Sequence, residues 1–247
     1  MTRSGGFHGG LLFPGAVVAV AALVAAPRPA SAATPAPELM ARLAAYGAGF
    51  EAMRTHASYT IEGQMETLDR AGNADSVKQM KARVEADGID VKFVVIRYVE
   101  DGEDKTADAQ KEAVKKAEER KAEREKKRFR IPVLADEQPR YVFDQVEIDA
   151  HDPALVRIAF APRVPRDDTI EGSAWVDSRT GSLISAGFKI SKPPIFVDYV
   201  HVTLEFGAPT ALGPAVSKVI ADGNGGLLFF RKRFHVDATL SDYRLAP

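Results

Sequence analysis

From Gly172 to Phe206 the chain reads GSAWVDSRTGSLISAGFKISKPPIFVDYVHVTLEF, and its apolar residues recur at every second position. Ile184, Ala186, Phe188 and Ile190 fall on one face, with Leu183, Ser185, Lys189 and Ser191 on the other. A spacing of two is strand spacing. Asp177-Ser178-Arg179-Thr180-Gly181 supplies turn residues between the strand carrying Trp175 and the strand carrying Phe188, and Lys192-Pro193-Pro194 breaks the pattern before the next one. Three antiparallel strands in sequence order are therefore expected. A sheet with one apolar face needs a cover, and the rest of the chain has to supply it.

Pro37 and Glu38 open a stretch to about Thr55 in which Leu39, Leu43, Tyr46, Phe50 and Met53 recur at three and four, the stripe of an amphipathic helix that covers a sheet. From Ser58 the period returns to two. Tyr59, Ile61, Gly63 and Met65 alternate with polar residues, Asp69 to Asn73 forms a turn, and Ser76 to Ala86 reads as the return strand. Ile89 to Val99 carries apolar residues on both sides, which predicts a central strand covered on both faces. A second hairpin pairs Tyr141–Asp149 with Ala154–Ala161. Near the end, Ala215 to Ala221 is expected as a strand, Asp222 to Gly226 as a turn, Leu227 to Val236 as a further strand and Thr239 to Leu245 as a closing segment. The expected fold is α+β, with an antiparallel sheet of about ten strands wrapped around the N-terminal helix.

Residues 1–32 read as a secretory signal peptide: Arg3, an apolar run from Leu11 to Ala26, and the small-residue site Ala30-Ser31-Ala32. A single membrane-anchoring helix is the competing reading, but the run falls short of the ~20 residues of a span. Residues 33–247 then form one domain in the periplasm, and without cysteine the domain has no disulfide. A net charge of −1 gives no reason to expect nucleic acid as a partner.

Residues 104–130 are nearly all Ala, Glu, Lys and Arg, which predicts a long charged helix inserted between sheet segments. Its end, from Lys121 to Arg130, holds six basic side chains (Lys121, Arg124, Lys126, Lys127, Arg128 and Arg130) against Glu123 and Glu125. Two readings stand: a solvated helix closing a long loop, and a docking surface for anionic lipid heads or an acidic protein.

No catalytic constellation is visible. His56, His151, His201 and His235 have no metal-ligand spacing, Gly223 to Gly226 lacks the lysine and helix of a phosphate loop, and no GxSxG elbow occurs. Neither enzymatic activity nor a cofactor is expected. Aromatic bulk stands out instead: Phe160, Trp175, Phe188, Phe196, Phe206, Phe230 and Phe234. These residues line a greasy cavity if the sheet wraps the helix incompletely, and are ordinary core if the helix fills the space.

The order of elements and the stretch Gly172-Ser173-Ala174-Trp175-Val176-Asp177-Ser178-Arg179-Thr180-Gly181 resemble the lipoprotein-carrier superfamily of bacterial envelopes, the family of LolA, LolB and RseB. The resemblance implies a half-open, incomplete barrel whose hydrophobic cavity binds lipid or the acyl groups of lipoproteins, with an envelope membrane protein as a further partner. The Arg-Pro…Trp segment of the carrier proper is missing, the charged helix is unlike it, and without cysteine the chain is no lipid-anchored receptor of the LolB kind. The expected function is periplasmic binding or carriage of a lipophilic ligand. The alternative is a regulatory or structural envelope protein with a filled core, acting through protein contacts at the charged helix.

Overall fold

The structure, a computed structural model, describes residues 33–69, 71–88, 90–124, 131–193, 197–227 and 230–245, with the backbone alone for 116–124, 226–227 and 230–231. The expected signal peptide lies outside the described residues.

Helix α1 (Pro37–His56) begins with proline in its first turn and ends with Arg54 and His56 in its last, both favourable placements. Ala57 is already extended and buried, so the helix runs without a loop into β1 (Ala57–Leu68). The chain continues through β2 (Ala74–Asp87), β3 (Asp90–Glu100), the two-residue β4 (Glu103–Asp104) and helix α2 (Thr106–Arg124). A strap at residues 131–137 and a 3-10 turn (Gln138–Arg140) lead to β5 (Tyr141–Ile148), β6 (Leu155–Pro162), β7 (Ile170–Asp177), β8 (Leu183–Ile190), β9 (Val197–Ala208), β10 (Ala215–Leu227) and β11 (Phe230–Leu245).

All eleven described strands form one antiparallel sheet in the order β4-β3-β2-β1-β11-β10-β9-β8-β7-β6-β5. It is a meander joined at one seam, where β1 pairs with β11 from Ala57↔Leu245 to Leu68↔Arg233. The sheet is open, with β4 and β5 at its edges. Ala33 exchanges backbone hydrogen bonds with Gln145 of β5 (3.3 and 2.7 Å), which fixes the start of α1 at that edge. The other end of α1 enters β1, so the helix crosses the inner face of the intervening strands. Leu39, Leu43 and Tyr46 bury there against Val156, Ile158, Val176, Leu183 and Phe206, and burial of each large side chain contributes about 1.5–3 kcal/mol.

Several expectations are corrected. Strand β3 is penultimate, not central; Phe93, Val94 and Ile96 are exposed, and helix α2 lies along its outer edge. Thr106 Oγ1 accepts from the Tyr98 amide at 2.9 Å and Gln110 Nε2 donates to Val95 O at 2.9 Å. Gly223 to Gly226 is no turn: it pairs with Phe234 back to Arg231, and the Phe234 ring occupies the space that a side chain at Gly223 would need. Thr239 to Leu245 continues β11. A bulge opposite Trp175/Val176, where Trp175 pairs with Ser185 and Val176 with Leu183, makes Ile184 the extra residue. Leu183 thus turns inward and is buried, whereas Ile184 is exposed, the reverse of simple alternation.

Candidate functional site

Between α1, the strap and β6–β9 lies an apolar cavity of about 230 Å³. Its floor is built from strands whose inward positions differ in size. Ala174 of β7 pairs directly with Ala186 of β8, and Gly172 pairs with Phe188. Two facing alanines leave a hollow among Phe160, Leu183, Phe188, Leu204 and Phe206. Close packing elsewhere leaves few voids this large, so the hollow is a consequence of that small pair.

The roof comes from Phe50 and Arg54 on the last turns of α1 and from Ile131, Pro132 and Val133 of the strap. The strap lies close to the helix because Gly47 has no side chain: a Cβ there would sit 3.0 Å from Val133 Cγ2. Gln138 Nε2 reaches both Met40 O and Val133 O at 2.9 Å, which ties strap to helix. Phe206 packs edge-on against Phe50 and Tyr46, with centroids 5.6 and 6.5 Å apart, at one side of the hollow.

Arg54 is the one charged side chain among the described residues that line the cavity. Glu51, one turn earlier, holds its guanidinium side-on, with Nε donating to Oε2 at 2.8 Å and Nη2 to Oε1 at 2.7 Å. Burial pushes the Tyr59 phenol up, and the charge of Arg54 pulls it back. Tyr59 stacks on Tyr243 at 5.1 Å, and Tyr243 donates to Val216 O at 2.8 Å.

Of the aromatic residues singled out in the sequence, Phe160, Phe188 and Phe206 line this cavity. Trp175 does not. It pairs with Arg157 and Ser185, between inward Ala174 and Val176, and so belongs to the outer face. Phe234 shares the inward side by register with Thr67 and Gly223 but lies on β11, away from the cavity walls. Phe230 begins β11, its side chain outside the description, and Phe196 lies outside the described residues. On the charged helix, Lys121 and Arg124 fall in the last turns of α2 with backbone alone described; Lys126, Lys127, Arg128 and Arg130 lie outside the described residues.

Sequence reasoning missed Arg54, the strap and the alanine pair. One signal for Arg54 was present: it stands four residues after Phe50 and eleven after Leu43, a position on the helix's own apolar stripe.

Over β1, β2 and β11 the outer face is largely polar. A depression of about 520 Å³ there is larger than the apolar cavity, but several of its residues are already paired: Lys81 bonds Glu62 at 2.8 Å, Gln79 bonds Gln64 at 3.2 Å, and Asp237 meets Lys218 of the neighbouring strand β10 at 3.0 Å. It is a solvated sheet face and not a prepared site. On the same side the register brings His201, Asp222 and His235 abreast on β9, β10 and β11, with His235 Nδ1 2.8 Å from Asp222 Oδ1. Among the described residues no three His, Asp or Glu side chains are placed to hold a metal.

No protein-family model matches the chain, and no curated protein sequence does. Solved structures similar to it include an outer membrane lipoprotein-sorting protein domain from Vibrio parahaemolyticus, at 10% identity over 83% of this chain and 91% of the other, with a TM-score of 0.40. A LolA superfamily protein from Nitrosomonas europaea aligns at 9% identity over 81% and 93%, with a TM-score of 0.38. The MucA/MucB complex of Pseudomonas aeruginosa aligns at 13% identity over 85% and 99%, with a TM-score of 0.22.

Proposed function

We propose that this protein is a non-enzymatic binding or carrier protein of the bacterial periplasm, exported by cleavage after Ala32, whose single domain (33–247) holds a lipophilic ligand in the cavity under α1. The observation that carries the reading is the hollow itself: an apolar space roofed by Phe50 and the strap, floored by the Ala174–Ala186 pair, beside the buried cluster of Leu39, Leu43 and Tyr46. At about 230 Å³ it is smaller than the roughly 300–1,000 Å³ typical of drug-sized ligand sites. With about 30 Å³ for each water-sized group, it has room for roughly eight methylene-sized groups. Burying that much chain contributes about 6 kcal/mol before the costs of association, which is enough for reversible capture and no more.

The test is native mass spectrometry of the protein from cells producing the full chain, followed by uptake of the small apolar fluorophore naphthalene. A bound lipid or acylated peptide, and fluorophore uptake that Ala174→Leu abolishes by filling the hollow, are the expected results. Phe188→Asp, which puts a charge in the wall, gives the same loss. A clean apo mass together with no uptake sinks the reading and moves the function to protein contacts at α2, where Val114 stands 66% exposed.

A further inference from the structure

We infer that Arg54 is the head-group site of this cavity and that its ligand is a single-chain amphiphile with an anionic oxygen head, a carboxylate or a phosphate monoester. The inference rests on the cavity reading above and adds the chemistry of the head. A guanidinium carries five N–H donors in two forks. Glu51 occupies the side-on fork through Nε and Nη2. The other three N–H groups, two on Nη1 and one on Nη2, have no partner among the described residues, although the side chain borders an apolar cavity.

That end-on fork matches two oxygens of one anion. Glu51 acts as a positioning residue: it fixes the plane of the guanidinium and offsets part of the ordering cost before any ligand arrives. The Arg54 side chain is 38% exposed, so a head bound to it stays in contact with water while the chain enters the hollow. A cationic head would meet the guanidinium as a like charge, and both Glu51 oxygens that could offset it are already taken. The size of the hollow sets the number of chains. It has room for one short run of methylenes, so the chain alone binds weakly and the head contact decides which amphiphiles are kept.

The experiment displaces naphthalene, which has no charged head and fits the hollow, from the protein with amphiphiles of equal chain length: octanoate, octyl phosphate, octanol and octyltrimethylammonium. Octanoate or octyl phosphate should displace it at about tenfold lower concentration than octanol, as a charge-assisted hydrogen bond provides, and the ammonium should be weakest. The order of the two anions separates a carboxylate ligand from a phosphate one. Arg54→Gln should bring the anions level with octanol while leaving octanol unchanged, and Arg54→Lys, which keeps the charge without the fork, should fall between. Equal displacement by anion and alcohol in the unaltered protein overturns the inference while leaving the cavity reading intact, as does an anion preference that survives Arg54→Gln. Absence of fluorophore uptake overturns both.

Discussion

Gly181 holds the turn between β7 and β8 at a φ of 77°, and a Cβ there would lie 2.7 Å from both Cβ and the carbonyl oxygen of Arg42 on α1. Arg42 Nε donates to Ser178 O of the same turn at 2.9 Å, so the turn and the helix share one contact. Gly181→Ala combines left-handed strain, about 1–3 kcal/mol, with a clash against backbone. The urea midpoint should drop with little change in m. Tyr46 donates to Pro214 O at 2.6 Å, and Tyr46→Phe should cost about 1 kcal/mol in the same measurement. Burial pushes the phenols of Tyr46, Tyr59, Tyr141 and Tyr243 up. The sign follows directly: the folded state holds these protons more tightly than the unfolded chain, which releases them near pH 10. Their contribution to stability is therefore complete below about pH 10 and is lost as the pH rises through the folded values. Tyrosinate absorbance of these four rings should appear together with the loss of the circular dichroism signal. Trp175 shows the limit of residue-level reading: its aromatic bulk is visible in the sequence, but the side of the sheet it occupies is fixed by its neighbours' burial.

At the scale of elements, composition was informative about what forms and uninformative about where it goes. The Ala/Glu/Lys/Arg stretch does form a helix, α2, and Leu39, Leu43, Tyr46 and Met53 are the buried stripe of α1. That α2 covers the outer edge of β3 depends on Thr106 and Gln110 reaching Tyr98 and Val95, polar contacts that no periodicity encodes. Strand β3 has two kinds of apolar residue: Val95 is buried and paired with buried Ala82, while Val94 and Ile96 are exposed. An edge of that kind, once uncovered, is a template for pairing with another chain. The double substitution Thr106→Ala with Gln110→Ala should therefore raise the self-associated fraction in light scattering, and adding Ile96→Lys should lower it again. Unchanged mass across concentration would show that the side-chain contacts are not what guards this edge.

The whole molecule is held at the seam between β1 and β11, where residues from opposite ends of the chain pair over the full strand. Contacts so distant in sequence make for slow folding and for strong dependence on the last strand. Removal of residues 237–247 deletes the partners of Gln64 back to Ala57 and of Lys218 to Ile220 together. The truncated chain should lose its cooperative thermal transition, whereas a sheet of independent halves would keep one. The sequence by itself determined the elements and their chemistry: the two-residue period of the strands, the stripe of α1, the charged helix, most hairpin turns and an aromatic set including Phe160, Phe188 and Phe206. These are legible because helix and strand periods and turn geometry act over a few residues. Only the tertiary structure decided that β11 closes on β1, that the bulge at Ile184 turns Leu183 inward, that Ala174 meets Ala186, and that Arg54 and the strap overhang the hollow they leave. Strand partners and residual volume are set by packing among residues far apart in the chain, and no local spacing specifies them.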